Sequence, residues 1–486
     1  EDVNPQTRKN VLKPTVLAPK WIIFQQHHPY GSGRFERSGS AVQTPEAASN
    51  TTEMSWTEYA ALRKTDASAK QTASPEVQRV AAKRTPDIVS RSLLASTVNL
   101  TKSLVGLGLL SMPRAMSTGS PVLATCMLIL CTAACATSFF LLGYSAHVTG
   151  TETLPQLWVS TVGPQSSAIL ELIMGMDTMM SCIGFAVVIA DYMSISVAGL
   201  FPNVPVAFHS RQLLVMIVGG FILLPLCLLP NLHQLRFSSA FGLLCTLYVF
   251  AYVVGDFGQS LFVEGVAPLE ITLFQFRPGG LLRSTSIFTL GNMAHNNAPA
   301  FYADLKRPDR LAIVSATSFS LAGMIYLTFG MACLGRFGNK VPGNALTGYG
   351  SSQPVLLMRL GMGFSAITSF PLVFSALRVS ILQTLRRVKG KALHPNGPGW
   401  TALTATMVLA ISAAGAILND LSIVVSLCGA LADFALTLVV PGLIIVHLPR
   451  QTTQRFRLLA LVLIITGVLL GLCSTSLIVF QDILGL

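Results

Sequence analysis

The stretch STVNLTKSLVGLGLLSMP, Ser96 to Pro113, is apolar enough for a bilayer, yet it holds Lys102, the close glycines Gly106 and Gly108, and a terminal proline. Backbone N–H and C=O groups within lipid must be satisfied by the protein, so unwound chain at that depth persists only where it lines a cavity or binds something. A break at Gly106–Gly108 exposes N–H groups, and the positive end of the half-helix after it suits an anion such as a carboxylate. Taken alone, the GLG triplet fits close packing through small residues as well. A second stretch, SIFTLGNMAHNNAPAFYADL from Ser286 to Leu305, crowds Gly291, Asn292, His295, Asn296, Asn297 and Pro299 into its centre. Pro299 lacks a donor and clashes with a preceding helical turn. Two interrupted spans, five apart, point to an inverted-repeat arrangement with a binding site at the midplane.

Charged residues within apolar runs are the next candidates. Lys102 is eleven residues into its span, roughly 16 Å deep at ~1.5 Å per residue. Its stem cannot fully snorkel from there, and an unpaired charge costs at least ~2.5 kcal/mol. Lys102 therefore faces the bundle interior, pairs with an acid or loses its proton. Partners on offer are Asp177, Asp191 and Glu171 in the third span and Asp433 in the tenth. Asp177 and Asp191 are fourteen residues apart, about four turns, which puts both on one side of a helix. A histidine can titrate near neutral pH, and His295 is read either as a proton handler or as a hydrogen-bonded brace for the broken helix.

Soluble catalysis has no foothold. The eight histidines form no metal-spaced cluster, the nine cysteines include no CxxC pair, and no Walker motif is present. No metal, cofactor or enzymatic activity is expected, and the cysteines are read as small packing residues.

The elements that position these groups follow from composition. Of 486 residues, 51% are hydrophobic and 11% charged, against about a quarter charged in soluble domains. Eleven apolar spans are expected at 91–115, 119–147, 167–200, 211–230, 237–259, 282–303, 311–335, 352–380, 400–418, 421–447 and 456–481. Residues 1–87 are polar, without periodicity, and are read as a disordered cytoplasmic tail; 88–486 form the eleven-span domain. With the N-terminus in the cytoplasm, 25 of the 33 Lys and Arg residues face that side and six the other. Without the tail the ratio is still twelve to six, which supports N-terminus inside and C-terminus outside. The net charge of +12 thus reflects topology, and nucleic-acid binding is excluded because the basic residues are scattered around spans. The fold class is an all-α polytopic membrane protein: a 5+5 inverted repeat with broken first and sixth spans, plus one extra helix.

Four stretches resemble the amino acid/auxin permease family, a branch of the amino acid–polyamine–cation transporters. They are Asn99-Leu100 through GLGLLSMPRAM to Met116, AHNNAPAFYADLKRPDR at 294–310, SFPLVFSALRVSIL at 369–382 and LSIVVSLCGALADFALTLVVPGLIIV at 421–446. Their order and spacing carry the likeness. Ala294 replaces a cysteine of the family pattern, Asn296 replaces the proline after the histidine, and Lys102 falls where sodium-coupled relatives tend to carry a small or polar residue. These departures bear on substrate and coupling ion.

The resemblance implies cotransport of amino acids by alternating access. The backbone of Leu104, Val105, Gly106, Leu107 and Gly108 would meet the substrate carboxylate, and Thr289, Leu290, Gly291 and Asn292 its ammonium and side chain. Thr368 and Ser369 in the eighth span match part of a cation site, whose place the Lys102 ammonium would take, making a proton rather than sodium the coupling ion. Lys102 as a permanently paired structural residue is the alternative. The expected partners are an amino acid, a proton and the lipid bilayer. A sensor that binds substrate and signals through its tail, and a channel, stay open as other classes; plasma membrane and vacuole or lysosome-like organelle are not distinguished.

Overall fold

The computed structural model describes residues 92–483 apart from 204, 230–235, 263–271, 306, 390–396 and 449–453. The expected tail, 1–87, lies outside the described residues. The chain folds as an all-α polytopic membrane protein. In order, the helices are α1 (Leu93–Leu104), α2 (Gly108–Thr118), α3 (Pro121–Thr149), α4 (Leu154–Thr161), α5 (Ser167–Leu200), α6 (Arg211–Leu228) and α7 (Arg236–Phe262). They continue as α8 (Pro278–Gly291), α9 (Ala298–Asp304), α10 (Leu311–Phe337), α11 (Gln353–Lys389), α12 (Pro398–Ile417), α13 (Leu421–His447) and α14 (Gln454–Ile478).

Among the described residues nine helices are long and apolar enough to cross a membrane, and α1 with α2 makes a tenth if that bent pair is one span. The remaining expected span, 282–303, is split between α8 and α9, of 14 and 7 residues. Local chemistry sets many of the ends. Ser92, Thr153, Ser210 and Asp420 cap helix N-termini by accepting from N–H groups two or three residues on. Pro121, Pro278 and Pro398 occupy first turns, where a missing donor costs nothing.

The most enclosed element is α13: 72% of its most apolar stretch is buried, against 22% in α14 and 17% in α7. The latter two are therefore peripheral and α13 is central. Its middle widens into π-helical turns at Gly429–Asp433 and Ala435–Val439. A Cβ on Gly429 would overlap the Ser286 carbonyl, so glycine is what lets α13 approach α8. Around this centre α5 packs along α11, α8 along α2, and α10 against α1, α2 and α3.

Candidate substrate site at the two helix breaks

The first break follows Leu104. Val105 leaves helical geometry with φ −76° and ψ 91°, and the chain bends by 52° before α2 begins. The Val105 N–H still closes on Thr101 (2.9 Å), and Leu109 and Leu110 donate to Gly106 and Leu107 (both 3.1 Å). The N–H groups of Gly106, Leu107 and Gly108 make no backbone hydrogen bond among the described residues, as expected of a helix start. The two glycines differ in role. Gly106 is exposed, and a Cβ there would meet only the Leu104 carbonyl oxygen, at 4.0 Å. Gly108 is buried, and a Cβ there would sit 3.1 Å from a Leu290 methyl and 3.2 Å from the Gly291 Cα. The break and the close packing offered as alternatives for GLG thus coexist, one at each glycine.

The second break follows Gly291. Asn292 shares its N–H between Phe288 and Thr289 (3.0 and 3.1 Å), and its side-chain Nδ2 donates to Phe288 (2.9 Å). Its Oδ1 is buried without a donor. Met293 and Ala294 lead to a 3₁₀ turn at His295–Asn297, and α9 starts at Ala298. Pro299 lies in the first turn of α9. It does not clash with a preceding turn; it starts the second half-helix, where proline is tolerated.

The breaks touch. Gly108 packs on Gly291, and Tyr326 of α10, fully buried, reaches both helix ends. Its Oη lies 2.7 Å from the Leu104 carbonyl and 2.6 Å from the Gly291 carbonyl, as donor to each. One O–H proton cannot fully satisfy two carbonyls. The joined breaks therefore present free N–H groups at Gly106–Gly108 on one side, and under-satisfied acceptors at Leu104, Gly291 and Asn292 Oδ1 on the other. Of the other expected contact residues, Thr289 turns its hydroxyl to Thr285 (2.8 Å) and Leu290 is half-buried.

The charged candidates are spread out. Lys102 is half-buried, and no acid pairs with it among the described residues. Asp191 is engaged elsewhere: Arg211 Nε is 2.7 Å from one oxygen and Asn344 Nδ2 is 3.0 Å from the other. Asn344 in turn accepts from Tyr192 (2.8 Å), and Arg211 also donates to the Gly415 and Leu418 carbonyls at the end of α12. Asp191 thus anchors a clamp between α5, α6 and α12. Glu171 pairs with Arg387 at 2.7 Å. Asp177 accepts from Asn296 (3.1 Å), so the two aspartates serve different neighbours. Thr368 bonds within its own helix, to Phe364 (2.9 Å), and Ser369 is half-buried; neither is hydrogen-bonded to Lys102.

His295 is fully buried, with Nε2 2.9 Å from Ser138 Oγ and 3.2 Å from the Cys135 carbonyl. Ser138 itself donates to Cys135 (3.1 Å), so the Nε2–H is the donor and the ring braces the 295–297 turn against α3. Tyr326 is the residue that sequence reasoning missed. Its only signal is a lone tyrosine in the apolar run LAGMIYLTFGMAC.

A cavity of about 550 Å³ lies apart from the breaks, between α3 and α10, lined by Leu128, Thr132, Ala136, Gly323 and Leu327. It opens at Ile129 and Met324, which are 59% and 58% exposed, and no charged residue lines it. It holds no charged group for either end of a zwitterion.

Residues 90–480 match the family described as transmembrane amino acid transporter protein. The chain is 26% identical over 304 residues to vacuolar amino acid transporter 7 of Saccharomyces cerevisiae, covering 60% of this chain and 59% of that protein. It is 25% identical over 357 residues to a putative sodium-coupled neutral amino acid transporter 10 of Xenopus laevis, covering 71% of this chain and 34% of that protein. Solute carrier family 38 member 8 of Mus musculus is 24% identical over 384 residues, covering 73% of this chain and 84% of that protein. The chain thus spans about three-fifths and one-third of the first two of these relatives. Two broken helices meeting among apolar spans, and a match over most of the length, lead to one statement: the chain belongs to the transmembrane amino acid transporter family.

Proposed function

We propose that this protein is a secondary transporter that carries amino acids across its membrane by alternating access, driven by protons rather than sodium. The observation that carries the reading is the contact of the two breaks through Gly108, Gly291 and Tyr326. An amino acid zwitterion needs donors at one end and acceptors at the other. The Gly106–Gly108 N–H groups face a carboxylate with the positive end of α2 behind them. The Leu104 and Gly291 carbonyls, each ending a half-helix, and Asn292 Oδ1 supply acceptors for an ammonium without a buried counter-charge. Exposure at Gly106 gives access. Lys102 supports the choice of proton over sodium, since an ammonium in the first span already supplies a cation near the first break. The N-terminus is assigned to the cytoplasm by the Lys and Arg bias.

The test uses the purified protein in liposomes with mixed labelled amino acids, under an imposed proton gradient, an imposed sodium gradient or neither. Accumulation that follows the proton gradient is expected. Accumulation that requires sodium overturns the coupling. Binding with no flux or exchange under any gradient overturns transport in favour of a sensor.

A further inference from the structure

Asp433 sits at the end of the π-helical turn of α13, fully buried, and neither of its carboxyl oxygens has a hydrogen-bond donor. Asp177 of α5 faces it. One carboxyl oxygen of each acid and the Cys428 Sγ lie within 4.8 Å of one another. No lysine or arginine among the described residues makes an ion pair with either carboxyl. Two carboxylates this close, out of water and without a cation, cannot both stay charged. We propose that Asp177 and Asp433 form the proton site of this protein, holding one exchangeable proton between them; this rests on the transporter reading above.

The donors decide where the proton resides. Asp177 already accepts from Asn296 Nδ2 at 3.1 Å, and the Cys428 thiol is 4.0 Å from its Oδ1 and 3.8 Å from its carbonyl. Asp433 has no such help, so its oxygens gain a partner when an O–H joins the two carboxyls. The other titratable groups around the pair are three thiols and an imidazole. They are Cys428 on α13, Cys182 on α5, and Cys135 on α3, with His295 hydrogen-bonded to the Cys135 carbonyl behind it. On α11, which packs along α5, Arg378 turns to the Cys227 carbonyl and Trp400, and Arg387 to Glu171. On α14, Cys473 is exposed. A hard divalent cation takes six or more oxygen ligands, and two carboxyls, an amide and a thiol are a poor match for one.

The pair is also wired to the substrate site. Asn296 belongs to the turn that joins α8 to α9, so gaining or losing the proton changes the hold on the second broken helix. The same π-helical turn begins at Gly429, against the Ser286 backbone of α8. Protonation frees Asn296 from a full carboxylate charge, and deprotonation tightens it.

The test compares the parent with Asp433→Asn and Asp177→Asn in liposomes. Two modes are read: uptake driven by an imposed pH gradient, and exchange of labelled for unlabelled amino acid at equal pH. Asp433→Asn is expected to lose at least tenfold in pH-driven accumulation, to lose its pH dependence, and to keep exchange. PH-driven accumulation unchanged in both variants overturns the proposal. So does a variant that loses a sodium requirement, because the pair would then hold sodium. Infrared difference spectra of purified protein, titrated with acid, give a readout free of transport. The parent should show one carboxylic-acid carbonyl stretch that both variants alter. If that band is absent in the parent the pair holds no proton, whatever the flux; if it is present and no variant or parent moves amino acid, the transporter reading fails while the proton site stands. Should Asp433→Asn not fold, Asp177→Asn carries both measurements.

Discussion

Tyr326→Phe isolates the hydroxyl that ties the two breaks together. Phenylalanine keeps the ring, whose Cε2 would be 3.4 Å from a Cβ placed at Gly291, so packing is preserved and only the O–H is removed. The loss falls on two carbonyls, Leu104 and Gly291, 2.7 and 2.6 Å from that oxygen. Because one proton serves both, it counts as about one unsatisfied buried group, or about 1–3 kcal/mol. At about 1.36 kcal/mol per tenfold, this is a fall of roughly 5- to 150-fold if the tie is needed to align the breaks for substrate. The assay is the initial rate of labelled amino acid uptake at concentrations below KM, per molecule reconstituted, with thermal unfolding measured in detergent alongside. The expected result is kcat/KM lower by about tenfold or more with a modest fall in Tm. Values within twofold of the parent would refute the reasoning. A lower KM would also refute it, since the hydroxyl would then compete with the ammonium instead of supporting its site.

Other perturbations separate structural from coupling roles. Lys102→Met removes a half-buried charge with no acid partner, so Tm should hold, while the pH dependence of uptake should change; intact pH dependence removes Lys102 from coupling. Gly429→Ala forces a Cβ into the Ser286 backbone and should cost about 2 kcal/mol or more, whereas Gly106→Ala, whose Cβ would make only an ordinary contact with the Leu104 carbonyl, should stay within about 0.5 kcal/mol; detergent melting curves compare them. Arg211→Met leaves Asp191 buried without its cation and uncaps the end of α12, for a loss of about 3 kcal/mol in unfolding free energy; an unchanged melting midpoint counts against the clamp.

Both breaks were legible in the chain because their causes are local. Glycine, asparagine and proline clusters change backbone preference wherever they stand, and Gly106, Gly108, Gly291 and Asn292 mark the places where the helices stop. The length of each apolar run likewise needs no tertiary knowledge. What joins the breaks was not legible. Tyr326 meets Leu104 across 222 residues of sequence and Gly291 across 35, and a single tyrosine in an apolar run has no periodicity to announce it. The same holds for the pairings of charge. Asp191 met Arg211 rather than Lys102 because the loop between α5 and α6 turns the two together, which side-chain types do not encode. Cys428, read as a small packing residue, has its thiol 4.0 Å from Asp177 Oδ1 across 251 residues of sequence, a pairing set by how α13 lies against α5.

The ties at the breaks are of unequal strength, and this bears on how a rocking motion would divide the bundle. At the far end from Gly108 and Gly291, Ser284 of α8 donates to the Ala115 carbonyl of α2 (2.7 Å), and Gly280 is so close to the Thr118 carbonyl that a Cβ would overlap it. With glycine contacts at both ends, α2 and α8 are fastened backbone to backbone and must move as one body. The partner halves have different neighbours: α1 packs on α10, and the turn leading to α9 is held by Asn296 to α5 and by His295 to α3. Alternating access requires some of these ties to give. The joint of least cost is the shared Tyr326 hydroxyl, because its proton can stay with one carbonyl while the other moves away, with no donor newly buried unpaired. Breaking α2 from α8 would instead separate close-packed backbone along the whole contact. On the alternating-access mechanism proposed above, the hinge would fall at Leu104–Gly106 and Asn292–Ala294, on either side of the proposed substrate contacts. A substrate bound at the proposed site would bridge that moving body to the rest of the bundle, and such a bridge would let binding energy select between conformations.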